Sequence, residues 1–154
     1  MLSIRGEYTC KVDAKGRFLL PSGFKSQLGD AIGDGFIIKK HVFSKCLELY
    51  PASNWELNLN NITRNLNMML KKHNDFIRAY TTGLRELNVD GSSRLLIPKD
   101  LLQFAEIESD IVLTANFYRI EIWNKTLFDK SVEATLENIS SLAEEILGGI
   151  NINE

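Results

Sequence analysis

The sequence predicts an α+β fold built from two tandem β-β-α-β-β units, with a long helix after each unit. Three observations support this prediction. Residues 6–28 recur as residues 83–105. Short segments in both copies alternate apolar and polar residues, as half-buried strands do. Two further segments carry apolar residues three and four positions apart, which is typical of one helix face. We therefore expect a first unit over residues 1–80 and a second over residues 81–154.

The internal repeat aligns with a shift of 77 residues over 6–28 and 83–105. Its identical pairs are Gly6/Gly83, Val12/Val89, Asp13/Asp90, Arg17/Arg94, Leu19/Leu96 and Pro21/Pro98. The match resumes with a shift of 73, where residues 47–50 face residues 120–123. Because the matched positions keep their order, a duplication explains them better than chance similarity between two turns.

The elements of the first unit follow from local chemistry. Tyr8, Cys10 and Val12 alternate with polar residues, which predicts a strand. Residues 13–16 end in glycine and begin with aspartate, as tight turns do, and Arg17 begins the return strand of a hairpin. Pro21 then opens a short helix. Further strands are expected at 36–38 and 47–50, and the second unit repeats the plan with a turn at 90–93, a helix from Pro98 and strands at 111–113 and 120–123.

A long amphipathic helix is expected after each unit. The first begins at Ser53, with Glu56 completing a capping box, and carries the stripe Trp55, Leu59, Ile62, Leu66, Met69, His73, Phe76 and Tyr80. The second begins at Thr126, ends at Gly148 and carries Phe128, Val132, Thr135, Ile139, Leu142 and Ile146. We expect both stripes to lie in the core or in a subunit interface.

Composition and motifs give little support to an enzyme. The chain has 154 residues, 44% hydrophobic and 25% charged, as ordinary globular proteins do. No apolar run is long enough for a membrane span, and no signal peptide is evident at the N-terminus. The sequence lacks phosphate-binding loops, nucleophile elbows and zinc-ligand spacings, so we expect no catalytic residue, no cofactor and no metal. We expect His41 to be solvated, His73 to lie at the edge of the core, and Cys10 to lie within it.

Charge is unevenly distributed along the chain. The net charge is −2. Residues 125–154 hold two basic and six acidic residues, a net −4, so residues 1–124 carry +2. This small difference in net charge does not by itself indicate binding to nucleic acid.

The repeated Asp-x-x-x-Arg hairpin has two interpretations. In the first, Asp13 and Asp90 pair with Arg17 and Arg94 and serve the turns alone. In the second, a two-stranded ribbon enters the DNA major groove, and each aspartate orients an arginine that binds guanine or phosphate. Cations that favour DNA binding lie on both hairpins: Lys11, Lys15 and Arg17 on the first, and Arg85 and Arg94 on the second.

The two motifs, DAKGRFLLP at residues 13–21 and DGSSRLLIP at residues 90–98, resemble those of the MraZ family, and residues 120–123 resemble its second-half signature. The resemblance implies an AbrB-like swapped-hairpin, double-split β-barrel and a ring-shaped homo-oligomer. It implies a cytoplasmic, nucleoid-associated regulator that binds direct repeats in the promoter DNA of the division and cell-wall gene cluster. Arg17, Arg94 and Lys15 match the family's motif positions, with Asp13, Asp90, Gly16, Pro21 and Pro98 shaping the motif.

The second turn departs from the family in having Ser93 where the first has Gly16. We expect Gly91 to supply the positive φ there. Two alternatives to DNA regulation remain open: an oligomeric ring scaffold for protein partners, in which the turns are only structural, and an AbrB-like antitoxin. The ordered amphipathic tail argues against the antitoxin, because such proteins use a disordered toxin-binding arm.

Overall fold

The computed structural model describes residues 1–149. Its first half contains four strands and three α-helices: β1 Glu7–Lys11, β2 Arg17–Leu19, α1 Ser22–Leu28, β3 Phe36–Lys40, β4 Leu47–Pro51, α2 Ala52–Thr63 and α3 Lys71–Thr81, with a 3-10 helix at Gly29–Asp34. The second half contains β5 Arg85–Leu87, β6 Arg94–Leu96, α4 Lys99–Phe104, β7 Asp110–Asn116, β8 Arg119–Asn124, α5 Lys125–Leu136 and α6 Ile139–Leu147. The predicted α+β class and tandem plan are confirmed.

Contacts divide the chain into two compact units, Met1–Asn124 and a second that begins at Lys125. All eight strands of the described residues belong to the first unit. The expected boundary at residue 80 stays a prediction, and residues 150–154 of the expected second unit lie outside the described residues.

Strands of the two repeats pair with each other. Six strands form one antiparallel sheet in the order β1-β7-β8-β4-β3-β5, and β2 pairs with β6 in a separate two-stranded sheet. The prediction that β1 and β2 form a ladder within one hairpin was therefore wrong. The Asp13 N–H donates to the Arg17 carbonyl across the turn. Beyond the turn, however, the Val12 N–H donates to the Ser109 carbonyl and the Leu20 N–H donates to the Ser93 carbonyl. The pairing with the opposite repeat separates the two arms beyond the turn. This exchange agrees with the swapped arrangement, and closure into a barrel stays a prediction.

The core draws on both repeats. Three repeat-related pairs are at most 1% exposed: Phe18/Leu95, Leu20/Ile97 and Phe24/Leu101. Each Pro21 and Pro98 carbonyl accepts N–H groups from the first turn of the helix that follows, at 3.0 Å. The pairs follow the apolar positions that the repeat conserved, so the duplication sets one shared core.

The single helix predicted from Ser53 to Tyr80 is two helices, α2 and α3. Helix α2 begins at Ala52 without a side-chain cap, so the predicted capping box does not form. Asn67 explains the interruption. Its side-chain oxygen accepts the Met69 N–H at 3.0 Å, and its own N–H donates to His73 Nδ1 at 2.8 Å. These local bonds compete with the helical ladder. His73 is half-buried, as expected.

The second amphipathic helix is also interrupted, at Asn138, which precedes α6 and whose carbonyl accepts the Leu142 N–H at 3.1 Å. Parts of both predicted stripes are exposed in the single chain: Met69 is 91% exposed, Phe76 44%, Ile139 50% and Ile146 66%. Within one subunit, Trp55 is the stripe residue that is buried, and the expected place of the other stripe residues in a subunit interface stays a prediction. No helix among residues 1–149 combines the length and apolar character that a membrane crossing requires.

Candidate nucleic-acid interface

The two Asp-x-x-x-Arg turns have the same backbone hydrogen bonds. In the turn at residues 13–17, the Asp13 N–H donates to the Arg17 carbonyl at 2.9 Å, and the Gly16 N–H donates to the Asp13 carbonyl at 3.0 Å. In the turn at residues 90–94, the equivalent distances are 2.9 and 3.1 Å. The duplicated sequence therefore folds into duplicated geometry.

Each aspartate side chain holds its own turn. Asp13 Oδ1 accepts the N–H groups of Lys15 and Arg17, both at 2.9 Å. Asp90 Oδ1 accepts those of Ser92 and Arg94 at 2.8 and 3.0 Å. The backbone N–H of Arg17 is the main reason that the pKa of Asp13 falls to about 2, and that of Arg94 lowers the pKa of Asp90. Both carboxylates are therefore ionised at neutral pH.

The second oxygen of each aspartate faces the arginine side chain. Arg17 Nε donates to Asp13 Oδ2 at 2.8 Å, whereas Arg94 Nε lies 3.4 Å from Asp90 Oδ2 and has no hydrogen-bond partner among residues 1–149. The side chains of Arg17 and Arg94 are 32% and 36% exposed. Contact through Nε leaves the terminal nitrogens of each guanidinium available, since they form no hydrogen bond within the described residues. This fork can bind a phosphate or a guanine edge.

Positive φ occurs at the residue before each arginine, at Gly16 (φ 94°) and Ser93 (φ 60°). The expectation that Gly91 would take this conformation was wrong, because Gly91 does not have positive φ. The first turn also needs glycine for space, since a Cβ on Gly16 would lie 2.8 Å from the Ile97 carbonyl oxygen. Ser93 adopts the same left-handed region at an energetic cost.

Strands β2 and β6 form an antiparallel ribbon that brings both turns together. Arg17 pairs with Leu96, and Leu19 pairs with Arg94. Since side chains alternate along a strand, these four share one face and Phe18 and Leu95 share the other. The ribbon is closed symmetrically by the Ile97 N–H to Gly16 O bond at 2.8 Å and the Leu20 N–H to Ser93 O bond at 3.0 Å.

The outer face of this β2–β6 ribbon has an unusual composition. Leu19 and Leu96 are 56% and 50% exposed, while Phe18 and Leu95 behind them are buried. Sequence reasoning missed the two outward leucines, although their identity in both repeats, two positions after each arginine, was a usable signal. Two exposed leucines and two arginines, with buried side chains behind them, make a surface that offers both charge and apolar contact.

The remaining predicted cations lie elsewhere in the fold. Lys15 is exposed at the first turn and forms no ion pair within residues 1–149. Lys11 lies on β1 and pairs with Asp110 at 3.2 Å, and Arg85 lies on β5 and pairs with Asp100 at 3.1 Å. Because β1 and β5 are the two ends of the six-strand order, the structure does not bring Lys11 and Arg85 onto the ribbon face.

A buried ionic network also crosses the centre of the sheet, and the sequence did not predict it. Glu48 and Glu121, matched positions of the repeat, lie directly opposite each other on β4 and β8. Glu48 accepts hydrogen bonds from Lys39 and Arg119, and Lys39 Nζ lies 3.0 Å from Glu48 Oε1. Burial lowers the pKa of Lys39 although Glu48 opposes this shift. The like charges are tolerated because cations separate them.

His41 belongs to the edge of this network, so the prediction that it is solvated was wrong. Its side chain is 12% exposed, and Nε2 lies 3.2 Å from Glu121 Oε2. Nδ1 accepts the backbone N–H groups of Phe43 and Ser44. The ligand-type atoms of His41, Cys46 and Glu121 lie within 4.8 Å of one another. Both ring nitrogens already have partners, and burial raises the pKa of the Cys46 thiol well above its ordinary value. This arrangement therefore does not require an ion to satisfy its polar atoms.

Comparisons with known proteins agree across nearly the whole chain. The family model described as "MraZ protein, putative antitoxin-like" matches residues 3–76 and 81–147. A transcriptional regulator MraZ from Flavobacterium psychrophilum is 46% identical over 154 residues, covering 100% of this chain and 98% of the relative. Proteins of the same name from Christiangramia forsetii and Phocaeicola vulgatus are 46% and 35% identical, covering 96% and 95% of this chain and 95% and 94% of those relatives.

Proposed function

The chain belongs to the MraZ family, and on that premise we propose that it regulates transcription by binding double-stranded DNA through the outer face of the β2–β6 ribbon. A transcription regulator is the role that its relatives' names carry, and this role is not an enzymatic class. The observation that carries the proposal is the placement of Arg17 and Arg94 on one exposed ribbon face.

The ribbon suits the major groove in shape and chemistry. That groove admits a two-stranded β-ribbon, and arginine pairs bidentately with the O6 and N7 atoms of guanine. Asp13 holds the Arg17 guanidinium by Nε alone, so the terminal nitrogens face outward already oriented. Leu19 and Leu96 supply apolar contacts for thymine methyl groups. Lys15, exposed at the turn, binds phosphate, and Lys11 and Arg85 are further proposed DNA contacts at the edges of the sheet.

One subunit holds the DNA weakly. The two turns contribute three cations, Lys15, Arg17 and Arg94, against two carboxylates, Asp13 and Asp90, a net charge of +1. A ring of identical subunits overcomes this weakness, because binding of one ribbon raises the effective concentration of the next. Adjacent subunits of a ring share one orientation, which matches direct repeats in promoter DNA. We propose such repeats upstream of the division and cell-wall gene cluster, in a cytoplasmic, nucleoid-associated protein.

Fluorescence anisotropy on DNA from upstream of the protein's own gene tests the proposal. Arg17→Ala and Arg94→Ala should each weaken binding by about tenfold or more, since a bidentate base contact contributes about 1–3 kcal/mol. Lys45→Ala is the matched control: Lys45 is exposed, pairs with Glu106 and lies off the ribbon, so its loss should change the affinity little. Light scattering should show unchanged assembly in all three variants. Wild-type affinity in both arginine variants would refute the ribbon interface.

The alternative is a ring scaffold in which both turns are structural. The Asp-backbone hydrogen bonds are equally consistent with that role. A scaffold predicts no preference for the upstream DNA over unrelated DNA and no loss in the arginine variants. Lys15→Ala helps to separate the roles. If Lys15 binds phosphate, its loss should weaken binding to all DNA sequences alike, whereas a scaffold predicts no loss.

A further inference from the structure

A cavity of about 270 Å³ lies away from the ribbon, between the end of β3 and helices α3 and α4. Its walls are apolar and aromatic, with lysines at one side. The lining residues are Lys39, Lys40, His41, Val42, Phe76, Ala79, Tyr80 and Phe104. None of these residues takes part in the proposed DNA contact.

The aromatic wall is preformed and reachable from solvent. Phe76 and Tyr80 stack with ring centroids 5.5 Å apart, and Tyr80 stacks in turn on buried Trp55 at 6.1 Å. Phe76 is 44% exposed and Val42 is 52% exposed. An apolar cavity of about 150 Å³ is enough to bind benzene. This cavity therefore has room for one ring with a short chain.

The cavity has a positive charge that the protein does not neutralise. Lys39 is committed to Glu48 at 3.0 Å and also lies 4.1 Å from the Tyr80 ring centroid. Lys40 Nζ lies over the Phe104 ring at 5.1 Å and forms no ion pair within residues 1–149. The cations of the cavity and its adjoining network are Lys39, Lys40 and Arg119, against the carboxylates Glu48 and Glu121. Without counting His41, the net charge of these groups is +1, and Lys40 is the cation among them that has no carboxylate partner within residues 1–149.

We propose that this cavity binds a small organic acid, with its carboxylate on Lys40 and its ring-sized apolar body against Phe76, Tyr80 and Phe104. The charged group and the apolar body of the ligand follow from the Lys40 ammonium and the aromatic wall of the site. Lys40 is a half-buried residue whose ammonium has no carboxylate partner within residues 1–149, which favours an anion. The aromatic wall favours an apolar body over a water-filled space. Neither half alone defines the ligand: inorganic phosphate lacks the apolar body, and a neutral arene leaves Lys40 unpaired.

Isothermal titration calorimetry of the full-length protein tests the proposal with 3-phenylpropanoate and its neutral analogue 3-phenylpropanol. We expect the acid to bind in the millimolar range or tighter, and the alcohol to bind about tenfold more weakly or not at all. Lys40→Gln should lose about tenfold or more for the acid, while Lys45→Gln, an exposed lysine outside the cavity, should bind like wild type. Ala79→Phe should fill the cavity and abolish binding, with an unchanged melting temperature, because Ala79 is exposed on α3.

Each contrary result would overturn the proposal. No heat from the acid means that the cavity is not a ligand site. Equal binding of acid and alcohol, or unchanged binding in Lys40→Gln, removes the role of the charge. If Lys40→Gln or Ala79→Phe instead changes the subunit number measured by light scattering, the cavity is covered by a second copy of the chain. Lost binding with an unchanged subunit number supports the assigned site.

Discussion

Glu48→Gln should destabilise the unit Met1–Asn124 by about 3 kcal/mol, the lower end of the range for breaking a buried ion pair. Glu48 and Lys39 are 2% and 1% exposed, so the substitution leaves a buried ammonium without its carboxylate. Relief of the repulsion from Glu121, which faces Glu48 across the strands, offsets part of the loss. Arg119 also loses its ion pair with Glu48 but keeps Glu121 at 3.8 Å, so Lys39 alone is left without any carboxylate partner.

Urea denaturation measures this loss. Glu86→Gln on β5 is the control, because Glu86 is exposed and forms no ion pair within residues 1–149, and its free energy of unfolding should match wild type. The double variant Lys39→Met with Glu48→Leu should recover most of the loss, since apolar replacements of a buried pair are often neutral. A loss of unfolding free energy below about 1 kcal/mol in Glu48→Gln would refute the reasoning. So would a double variant whose loss equals the sum of the losses in Lys39→Met and Glu48→Leu measured singly.

Three further predictions concern the turns. Ser93→Gly should stabilise the protein by about 0.5–1 kcal/mol, because Ser93 has φ 60° and glycine removes that strain; a loss of stability in thermal melts would contradict this. Gly16→Ala should destabilise by about 1–3 kcal/mol, because its Cβ would lie 2.8 Å from the Ile97 carbonyl oxygen at φ 94°; a melt like that of wild type would show that the turn accommodates it. Asp13 has its pKa lowered from 3.8 to about 2 on folding, so its ionised form stabilises the protein above pH 3.8 and this contribution disappears as the pH falls through about 2. Wild type should therefore lose more stability than Asp13→Asn between these pH values, and parallel pH profiles of the two melting temperatures would count against it.

Much of the fold followed from the duplication. Phe18 and Leu95, which are apolar at matched positions of the repeat, both lie in the core, because both copies bury the same face. The strands were found from their alternation, but their partners were not. Alternation states which face of β1 is buried and carries no information on whether β2 or β7 lies beside it. Turn chemistry therefore suggested a hairpin ladder where the structure exchanges strands between repeats.

The sequence identified the residues of the candidate site better than it predicted their arrangement in space. Arg17 and Arg94 were singled out as separate hairpin tips, whereas the β2–β6 pairing places them on one ribbon. The helix interruption at Asn67 depends on local side-chain hydrogen bonds that compete with a strong apolar period. His41 was misplaced because its side-chain partner, Glu121, is distant in sequence and adjacent only after folding.

Base recognition by Arg17 is tested most directly by a double-mutant cycle with the DNA. Guanines of the upstream repeat are replaced singly by 7-deazaguanine, which lacks the N7 acceptor, and anisotropy is measured for wild type and Arg17→Ala. At the contacted guanine, the replacement should weaken wild-type binding by about 1 kcal/mol or more and have almost no effect on Arg17→Ala. Equal losses in both proteins at every guanine would show that the Arg17 guanidinium does not read this edge.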